Sequence, residues 1–315
     1  MNDDDHAGDR VMNVIEAHGL SKRYGRTWAL RDCTLAIPAG RVVALVGPNG
    51  AGKTTLLQLA VGLISQSAGE ITVLGGAAPG SPAALDGIAF VAQDTPLYPY
   101  LSVADTLRLV RSLTNTWDEA RARARLDALG IPLKHKVGAL SGGQQAQVAL
   151  AVALARHPRL LVLDEPVAEL DPLARHDFMS TLMEAVAEDG VSVLLSSHVL
   201  SELERVCDYL VLLSRGSVQI ADGTDELLAT HRILTGPVEQ ADAIATVLPV
   251  VHERRAGRQA RLLVRTTNRH TVPPGWQDEP SNLEEIVLSY LRSPEASALP
   301  GPESSDRATS KVMTA

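Results

Sequence analysis

A glycine-rich segment early in the chain has the composition of a phosphate-binding loop. It is Gly47-Pro48-Asn49-Gly50-Ala51-Gly52-Lys53-Thr54, the spacing GxxxxGK[ST] between an apolar strand and a helix. Glycines let backbone N–H groups turn onto phosphate oxygens, and the helix directs its positive end at the same anion. Lys53 supplies a charge to the β- and γ-phosphates, and Thr54 offers Mg²⁺ a hydroxyl. We expect this loop, continuing through Thr55, to bind ATP; a plain glycine-rich turn is the alternative.

Two adjacent carboxylates follow the short apolar run Leu160-Leu161-Val162-Leu163. Asp164 is placed to hold Mg²⁺, usually through water. Glu165 comes next and could accept a proton from the attacking water, or position that water. A solubilising acidic pair at a strand end is the alternative, and the phosphate loop upstream favours the catalytic interpretation.

A third motif, Leu140-Ser141-Gly142-Gly143-Gln144, begins a helix whose first amides form another anion site. Together with the phosphate loop, this LSGGQ sequence resembles the signature of the nucleotide-binding domains of ABC ATPases. The resemblance runs from about Val14 to His231.

The resemblance implies an activity and a fold. Two subunits are expected to pack head to tail, with each signature (residues 140–144) closing on the γ-phosphate bound by its partner. ATP and Mg²⁺ are the implied cofactors, and ATP hydrolysis is the implied reaction. The implied fold is α/β, a P-loop NTPase core with a mainly parallel central sheet, an antiparallel β subdomain and an α-helical subdomain.

Four further residues match the family pattern in order. Tyr24, in SKRYG, falls where an aromatic ring stacks on adenine, although a strand-end tyrosine could also belong to the core. Gln93 falls where a glutamine reaches Mg²⁺ or the attacking water, and a surface amide is its alternative. Asp171, in ELDP, matches the loop that crosses the dimer interface, or it is an ordinary helix N-cap before a proline. His198, in LLSSH, resembles the histidine that contacts the γ-phosphate and orients the catalytic glutamate; a structural histidine is the alternative.

Three positions depart from the family pattern. Glu169 stands where a small residue is usual, so its carboxylate could perturb the dimer interface. Gln147 replaces a common arginine after the signature, and Val167 replaces a common Thr or Ser. None of the three removes an expected phosphate, metal or base ligand, so we still expect hydrolysis.

The elements that must position these residues alternate between strands and helices. Short apolar runs at Val42–Val46, Leu160–Leu163 and Val191–Leu195 are typical of strands buried on both faces of a parallel sheet. Helical patterns follow the phosphate loop and the signature, and residues 102–130 also have helical spacing. This alternation independently predicts an α/β domain.

Composition excludes several functional classes. The 315 residues carry a formal net charge of −8, which argues against a basic nucleic-acid-binding surface. The two cysteines, Cys33 and Cys207, lack zinc spacing and are expected to be small buried side chains. No run approaches the roughly 20 apolar residues that span a bilayer. Three arginines at positions 121, 123 and 125 indicate a solvated helix face, and Arg254-Arg255 indicates a polar turn.

The chain divides into four parts by composition. We expect a disordered leader at residues 1–12 and an ABC ATPase domain at 13–232, with its helical subdomain at about 94–157. A small C-terminal extension follows at 233–292, and a disordered tail at 293–315.

The ABC ATPases that this chain resembles in detail are the drug and antibiotic exporters whose ATPase and permease are separate chains. The resemblance rests on residues 91–107, residues 201–224 and the Leu-Glu motif Asn282-Leu283-Glu284-Glu285-Ile286. An importer ATPase is the alternative; non-transport ABC ATPases fit less well, since one phosphate loop and no long coiled coil are present. The implied partners are a separate membrane permease and a second nucleotide-binding domain, at the cytoplasmic face of the membrane.

A docking surface for the permease is expected beside Gln93. The chain is dense there in apolar and aromatic residues, namely Pro96, Leu97, Tyr98, Tyr100, Leu101 and Val103. An amphipathic permease helix would fit such a groove. The alternative is that these residues pack the core of the helical subdomain.

Overall fold

The computed structural model describes residues 12–94, 97–197, 203–266, 274–294 and 296. Its strands are β1 (Asn13–Tyr24), β2 (Thr27–Pro38), β3 (Val42–Val46), β4 (Ala68–Val73), β5 (Ile88–Val91), β6 (Leu160–Leu163), β7 (Ser192–Ser197), β8 (Tyr209–Ser214), β9 (Ser217–Gly223), β10 (His231–Pro237), β11 (Val250–Ala256), β12 (Gln259–Arg265) and β13 (Gln277–Pro280). Its helices are α1 (Lys53–Ala60), α2 (Pro82–Gly87), α3 (Val103–Leu113), α4 (Glu119–Ala128), α5 (Gly142–Leu154), α6 (Pro172–Asp189), α7 (Thr224–Thr230), α8 (Ala241–Val247) and α9 (Leu283–Arg292).

A six-stranded sheet in the order β5-β6-β7-β3-β8-β9 forms the centre of the molecule. Every pair in it is parallel except β8 with β9, and β3, β6, β7 and β8 are buried along their whole length. The wholly apolar sequences of β3 and β6, and the mainly apolar one of β8, follow from this burial on both faces. The order places β7 between β6 and β3, so the carboxyl ends of these three strands meet at one edge, where ligands bind in such sheets.

A second sheet, β2-β1-β4, is antiparallel and covers one face of the central sheet. Its apolar side chains share a core cluster with alternate residues of β3 and with α1, while the opposite face of the central sheet packs on α5 and α6. The Tyr209 hydroxyl on β8 donates to the Ala36 carbonyl on β2 at 3.1 Å and ties the two sheets together. The predicted α/β class, mainly parallel sheet and antiparallel subdomain are confirmed.

Helices α3, α4 and α5 form the predicted helical subdomain around their own apolar cluster. The pattern at 102–130 resolves into two helices. The first begins at a capping box. In it, the Ser102 hydroxyl accepts from the backbone N–H of Asp105, and the Asp105 carboxylate accepts from the backbone N–H of Ser102. Val103 is fully buried in this cluster, so its assignment to a docking surface is wrong: it is the first core residue of α3.

The arginines of α4 correct another prediction. Arg123 is solvated and pairs with Glu119, as predicted. Arg121 and Arg125 instead pack on the end of α6, with side chains only 15% and 12% exposed, where they pair with Asp189 and Glu188. The local charge pattern gave no sign of these distant carboxylates.

The C-terminal extension is an antiparallel sheet, β11-β12-β10-β13, with one helix on each face. Helix α8 and Trp276 cover one face. Helix α9 covers the other and shares the core cluster of α5 and α6. Strand β10 crosses the predicted boundary at 232/233, and Arg254 and Arg255 lie on β11 rather than in a turn, because the chain reverses at Gly257-Arg258.

The predicted leader and tail lie almost wholly outside the described residues, whereas the predictions on the cysteines can be compared with the structure. Of the predicted leader and tail, only Met12, Ser293, Pro294 and Ala296 are described. Cys33 and Cys207 are free and buried, as predicted. Within the described ranges, none of the helices combines the length and apolar character needed to cross a lipid bilayer.

Candidate active site

The phosphate loop connects the buried strand β3 to α1, and its glycines are required by close contacts. At Gly47, with φ 154°, an added Cβ would lie 2.3 Å from the Leu213 carbonyl oxygen. At Gly52, with φ 105°, it would lie 2.6 Å from the Ala29 carbonyl oxygen. Any other residue at either position would push the loop off β8 or β2, so these glycines fix where the loop lies.

Lys53, the first residue of α1, is folded back into the loop. Its ammonium group donates to the Gly47 carbonyl at 2.9 Å and lies 3.4 Å from Glu165 Oε1. The side chain is only 7% exposed. A buried lysine needs a charged partner, so this position is suited to exchange the glutamate for a phosphate.

Asp164 and Glu165 follow β6, as the sequence predicts, and a serine that the prediction missed holds both. The Ser196 hydroxyl on β7 donates to Asp164 Oδ1 at 2.7 Å and accepts from the Glu165 amide at 2.8 Å. Its sequence signal was weak: it is the first of two serines that follow a short apolar run. Glu165 also has a left-handed backbone, with φ 48°. Such a conformation costs about 1–3 kcal/mol in a non-glycine residue and is typical of functional sites.

A cleft of about 430 Å³ opens above these residues. It is lined by Ala29, residues 49–55, Gln93, Glu165 and Ala168. The structure therefore brings together most of the phosphate loop, the glutamine and the proposed base. Asp164 is 2% exposed and is not among the lining residues.

Tyr24 stands at the exposed tip of the β1–β2 hairpin, with half of its surface accessible. Core packing, the alternative for this residue, therefore does not apply. The Lys22 ammonium lies 5.1 Å from the centre of its ring. Trp28, which the sequence analysis did not single out, is 44% exposed on the facing strand and lies next to the cleft residue Ala29.

The signature lies outside this cleft. Ser141 caps α5 through a capping box with Gln144, and both Ser141 and Gly142 are exposed. Gly143 faces α6, where an added Cβ would lie 2.7 Å from the Cβ of Ala174. Within one chain, the cleft and the exposed N-terminus of α5, each expected from the sequence to bind an anion, are thus separate surfaces.

Comparison with known proteins places the chain in a family. A family model described as "ABC transporter" matches residues 30–168, and one described as "AAA domain, putative AbiEii toxin, Type IV TA system" matches residues 135–204. The chain is 41% identical over 280 residues to the aliphatic sulfonates import ATP-binding protein SsuB of Pseudomonas entomophila, covering 88% of this chain and 93% of that protein. The chain belongs to the ABC transporter ATP-binding protein family.

Other members of this ABC family are similar over the ATPase part of the chain. The lantibiotic transport ATP-binding protein SrtF of Streptococcus pyogenes is 31% identical over 219 residues, 68% of this chain and 94% of that protein. A solved ATP-binding subunit of an ABC transporter has a TM-score of 0.61 at 30% identity, covering 69% of this chain and 92% of its own. A dimeric bacterial ABC transporter cassette has a TM-score of 0.58 at 28% identity, covering 65% and 96%. The protein is thus an ATPase, as predicted.

The remaining ABC site residues fall in different surroundings. Asp171 caps α6, accepting from the Leu173 and Ala174 amides at 3.0 Å each, so it has the N-cap role that the sequence left open. It is exposed, and its role at an interface stays a prediction. His198 lies outside the described residues.

The three departures from the ABC pattern have clear structural settings. Glu169 is exposed, and Val167 is a core residue. Gln147 is buried, with only 5% of its surface accessible. Within the described chain, its side-chain amide nitrogen and oxygen have no hydrogen-bond partner. An unsatisfied buried amide costs about 1–3 kcal/mol.

The residues present fit Mg²⁺ and ATP. The loop amides and the buried Lys53 ammonium provide the donors and the charge that phosphates need. Thr54 and Gln93 line the same cleft and offer the oxygen ligands that Mg²⁺ prefers, with the Asp164 carboxylate beneath.

Proposed function

We propose that this ABC ATPase binds and hydrolyses ATP in a head-to-tail dimer and thereby drives export through a separate permease. The observation that carries the proposal is the division of the anion-binding surfaces. The cleft contains the phosphate loop, Gln93 and Glu165, whereas the signature is exposed elsewhere on the same chain. A second chain that brings its signature to the cleft would complete two equivalent sites across a two-fold axis.

Within each site we assign roles residue by residue. The amides of Gly47–Thr55 and the Lys53 ammonium hold the phosphates, and the Tyr24 ring stacks on the adenine. Thr54, Gln93 and Asp164 would hold Mg²⁺, which when bound neutralises charge on the phosphate oxygens. Glu165 accepts the proton of the attacking water, and His198 orients Glu165 against the γ-phosphate.

The remaining groups belong to the second chain of the dimer. Ser141, the Gly142 and Gly143 amides and Gln144 would approach the γ-phosphate from the partner, beside the partner's Asp171 loop. Helix α5 begins at this point, so its positive end adds to the same anion site.

We propose that the permease docks in an apolar groove that includes β5, the strand that precedes the glutamine. The groove encloses about 390 Å³, with Phe90 of β5 among its lining residues, and three leucines border it. Leu63, Leu85 and Leu113 are 63%, 53% and 75% exposed, a cost that an amphipathic permease helix would remove. Phe90 lies on β5, the strand that leads into the segment containing Gln93, so a docked helix would contact the strand before the glutamine. Docking would hold the ATPase at the cytoplasmic face of the membrane.

Tyr98 and Tyr100 belong to the apolar surface that the sequence predicted near Gln93. Both side chains are more than half exposed, and their ring centres are 5.8 Å apart. Leu97 and Leu101 are half-buried, and Pro96 lies outside the described residues. The two tyrosines are therefore the part of the predicted surface that a partner would reach.

The direction of transport rests on two different observations. Export is supported by the exporter-like segments and by the Leu-Glu motif, which here caps and begins α9 at Asn282 and Leu283. Import is the second candidate, because the sulfonate-import relative aligns over nearly the whole chain. Identification of the neighbouring permease gene separates them: a six-helix permease without a substrate-binding protein indicates export.

Complementation between inactive subunits tests the dimer. Lys53→Ala disables the phosphate loop and Ser141→Arg disables the signature, so each variant alone should be inactive. A mixed dimer has one intact site, and an equal mixture should recover about a quarter of wild-type turnover if dimers form at random. Ser112→Arg, the same change on an exposed turn of α3, is the control and should keep full activity.

A second measurement covers the case in which the two sites hydrolyse only together. The Glu165→Gln protein, with ATP and Mg²⁺ at saturation, should run as a dimer by light scattering. A mixture without activity, together with a strictly monomeric Glu165→Gln protein in ATP, would contradict the head-to-tail proposal.

A further inference from the structure

A small charged cavity lies in the C-terminal extension, away from the ATP cleft. It encloses about 100 Å³ between α9 and one face of the sheet β11-β12-β10. Three apolar side chains form part of it. Its polar lining consists of His252, Arg254, Arg261, Glu285, Ser289 and Arg292. We call this cavity the extension pocket.

Two arginines of the extension pocket lie directly opposite each other on neighbouring strands. Arg254 on β11 is the cross-strand partner of Arg261 on β12. Like charges directly opposite each other in an antiparallel pair are destabilising. Glu285 pairs with Arg261 and offsets one of the two charges. Neither Arg254 nor Arg292 makes an ion pair within the residues that the structure describes, so the pocket has an excess of positive charge.

His252 also lines the extension pocket and is affected by its excess of positive charge. Its Nδ1 lies 2.9 Å from the Ser293 hydroxyl, directly after α9. Burial lowers the pKa of His252, and the positive charge of Arg292 lowers it further, while Glu253 acts in the opposite direction. The imidazole is therefore neutral at pH 7 and adds a hydrogen-bonding group rather than a fourth charge.

We propose that the extension pocket binds a small tetrahedral oxyanion: a phosphate, a sulfate or the sulfonate or phosphate head of a larger molecule. The volume equals that of about three water molecules, which suits one such group. Guanidinium groups match the oxygens of these anions in planar, charge-assisted pairs. The anion would bridge Arg254 and Arg261 of the sheet to Arg292 of α9 and offset their mutual repulsion.

Because of the location of the pocket, a bound anion would connect strand β11 to helix α9. Strand β11 is at the edge of its sheet, so it has a neighbouring strand on one side only. The helix that would share the anion, α9, is attached to the ATPase core at its other end, where the Leu283 amide donates to Glu204 Oε1 at 3.1 Å. An oxyanion in the pocket would therefore fasten the edge strand to a helix that is already fixed.

Thermal unfolding and calorimetry of the full-length protein test this proposal. Saturating Mg-ADP is present throughout, so that the phosphate loop is occupied. Sodium phosphate, sulfate and methanesulfonate are compared with sodium chloride at equal ionic strength. We expect the oxyanions, but not chloride, to raise the melting temperature in a saturable way, as a ligand of the folded state does.

A double variant, Arg254→Gln with Arg292→Gln, separates the pocket from every other anion site. Both residues are exposed, so folding should persist, and removal of like charges should raise the melting temperature in chloride. Oxyanion affinity should fall at least about tenfold, as expected for loss of charge-assisted hydrogen bonds. Arg258→Gln, on the exposed turn after β11, is the matched control and should respond like the wild type.

The outcomes are distinct. A wild-type oxyanion response in the double variant, or an equal response to chloride and phosphate, would overturn the proposal. Glycerol phosphate identifies the source of the group: affinity equal to that of inorganic phosphate indicates the free ion, and tighter binding indicates the head of a larger molecule.

Discussion

Replacement of Glu165 by glutamine should affect hydrolysis and nucleotide binding in opposite directions. Glutamine has the same shape as glutamate, and the Ser196 hydroxyl would still accept from the backbone N–H of residue 165, so the backbone at this position should not move. It cannot accept a proton from water. Loss of a general base typically costs a factor of about 10²–10⁴, or about 3–5 kcal/mol in the activation barrier.

The effect on binding follows from the position of Lys53. Two unit charges 3.4 Å apart attract by about 5 kcal/mol at an effective dielectric constant of about 20. Desolvation of both groups offsets most of this, so the net competition with a phosphate is about 1–1.5 kcal/mol. The neutral amide of Glu165→Gln would no longer compete for the lysine, and ATP should bind up to about tenfold more tightly.

Two assays on the same preparation measure these effects. Single-turnover hydrolysis of labelled ATP gives the chemical step, and equilibrium titration with a fluorescent ATP analogue gives the affinity. Glu184→Gln, at an exposed glutamate of α6 to which no role in the site is assigned, is the control and should leave both quantities unchanged. Turnover within threefold of wild type, or weaker ATP binding at an unchanged melting temperature, would refute the reasoning.

Two other predictions concern the groove and the extension. Leu85→Glu with Leu113→Glu should abolish co-purification with the partner permease, once it is identified, while soluble ATPase activity persists. Val247→Glu, at another exposed apolar residue, is the control, and retained co-purification would exclude the groove. Burial lowers the pKa of His231 below its ordinary value near 6.5. The contribution of this histidine to the free energy of unfolding is therefore full above about pH 6.5. Below that pH it decreases, by at most about 1.4 kcal/mol per pH unit. Urea unfolding at pH 7.5 and 5.5 should show this decline in the wild type and a smaller one in His231→Gln; equal declines would rule out this histidine.

The strands and helix around the phosphate loop could be predicted from the sequence because their signals are local. The phosphate loop follows strand β3 and precedes α1 without interruption, so its context is visible in one continuous stretch from Val42 to Ala60. The apolar runs of β3 and β6 identify a sheet covered on both faces. The carboxylates after β6 could then be placed at the same edge of the sheet as the loop.

Contacts between distant segments could not be predicted in this way. Arg121 and Arg125 have the spacing of a solvated helix face, but α6 ends against them with two carboxylates 63–68 residues later. The extension sheet joins β10 to β12 and β13, and no repeat or turn motif in the sequence specifies those partners. The buried His231 shows the same limit: its Nδ1–H donates to the Leu227 carbonyl, and its Nε2 accepts from the Tyr290 hydroxyl 59 residues away.

Ser196 explains why the carboxylates can be held in an unfavourable arrangement. The left-handed backbone of Glu165 and the nearly complete burial of Asp164 both oppose folding locally. One hydroxyl offsets both, because it accepts from the first residue and donates to the second, and a hydroxyl has one proton to give. Since Ser196 lies on β7, between β6 and β3, it ties the proposed metal ligand and the proposed base to the strand beside the one that leads into the phosphate loop.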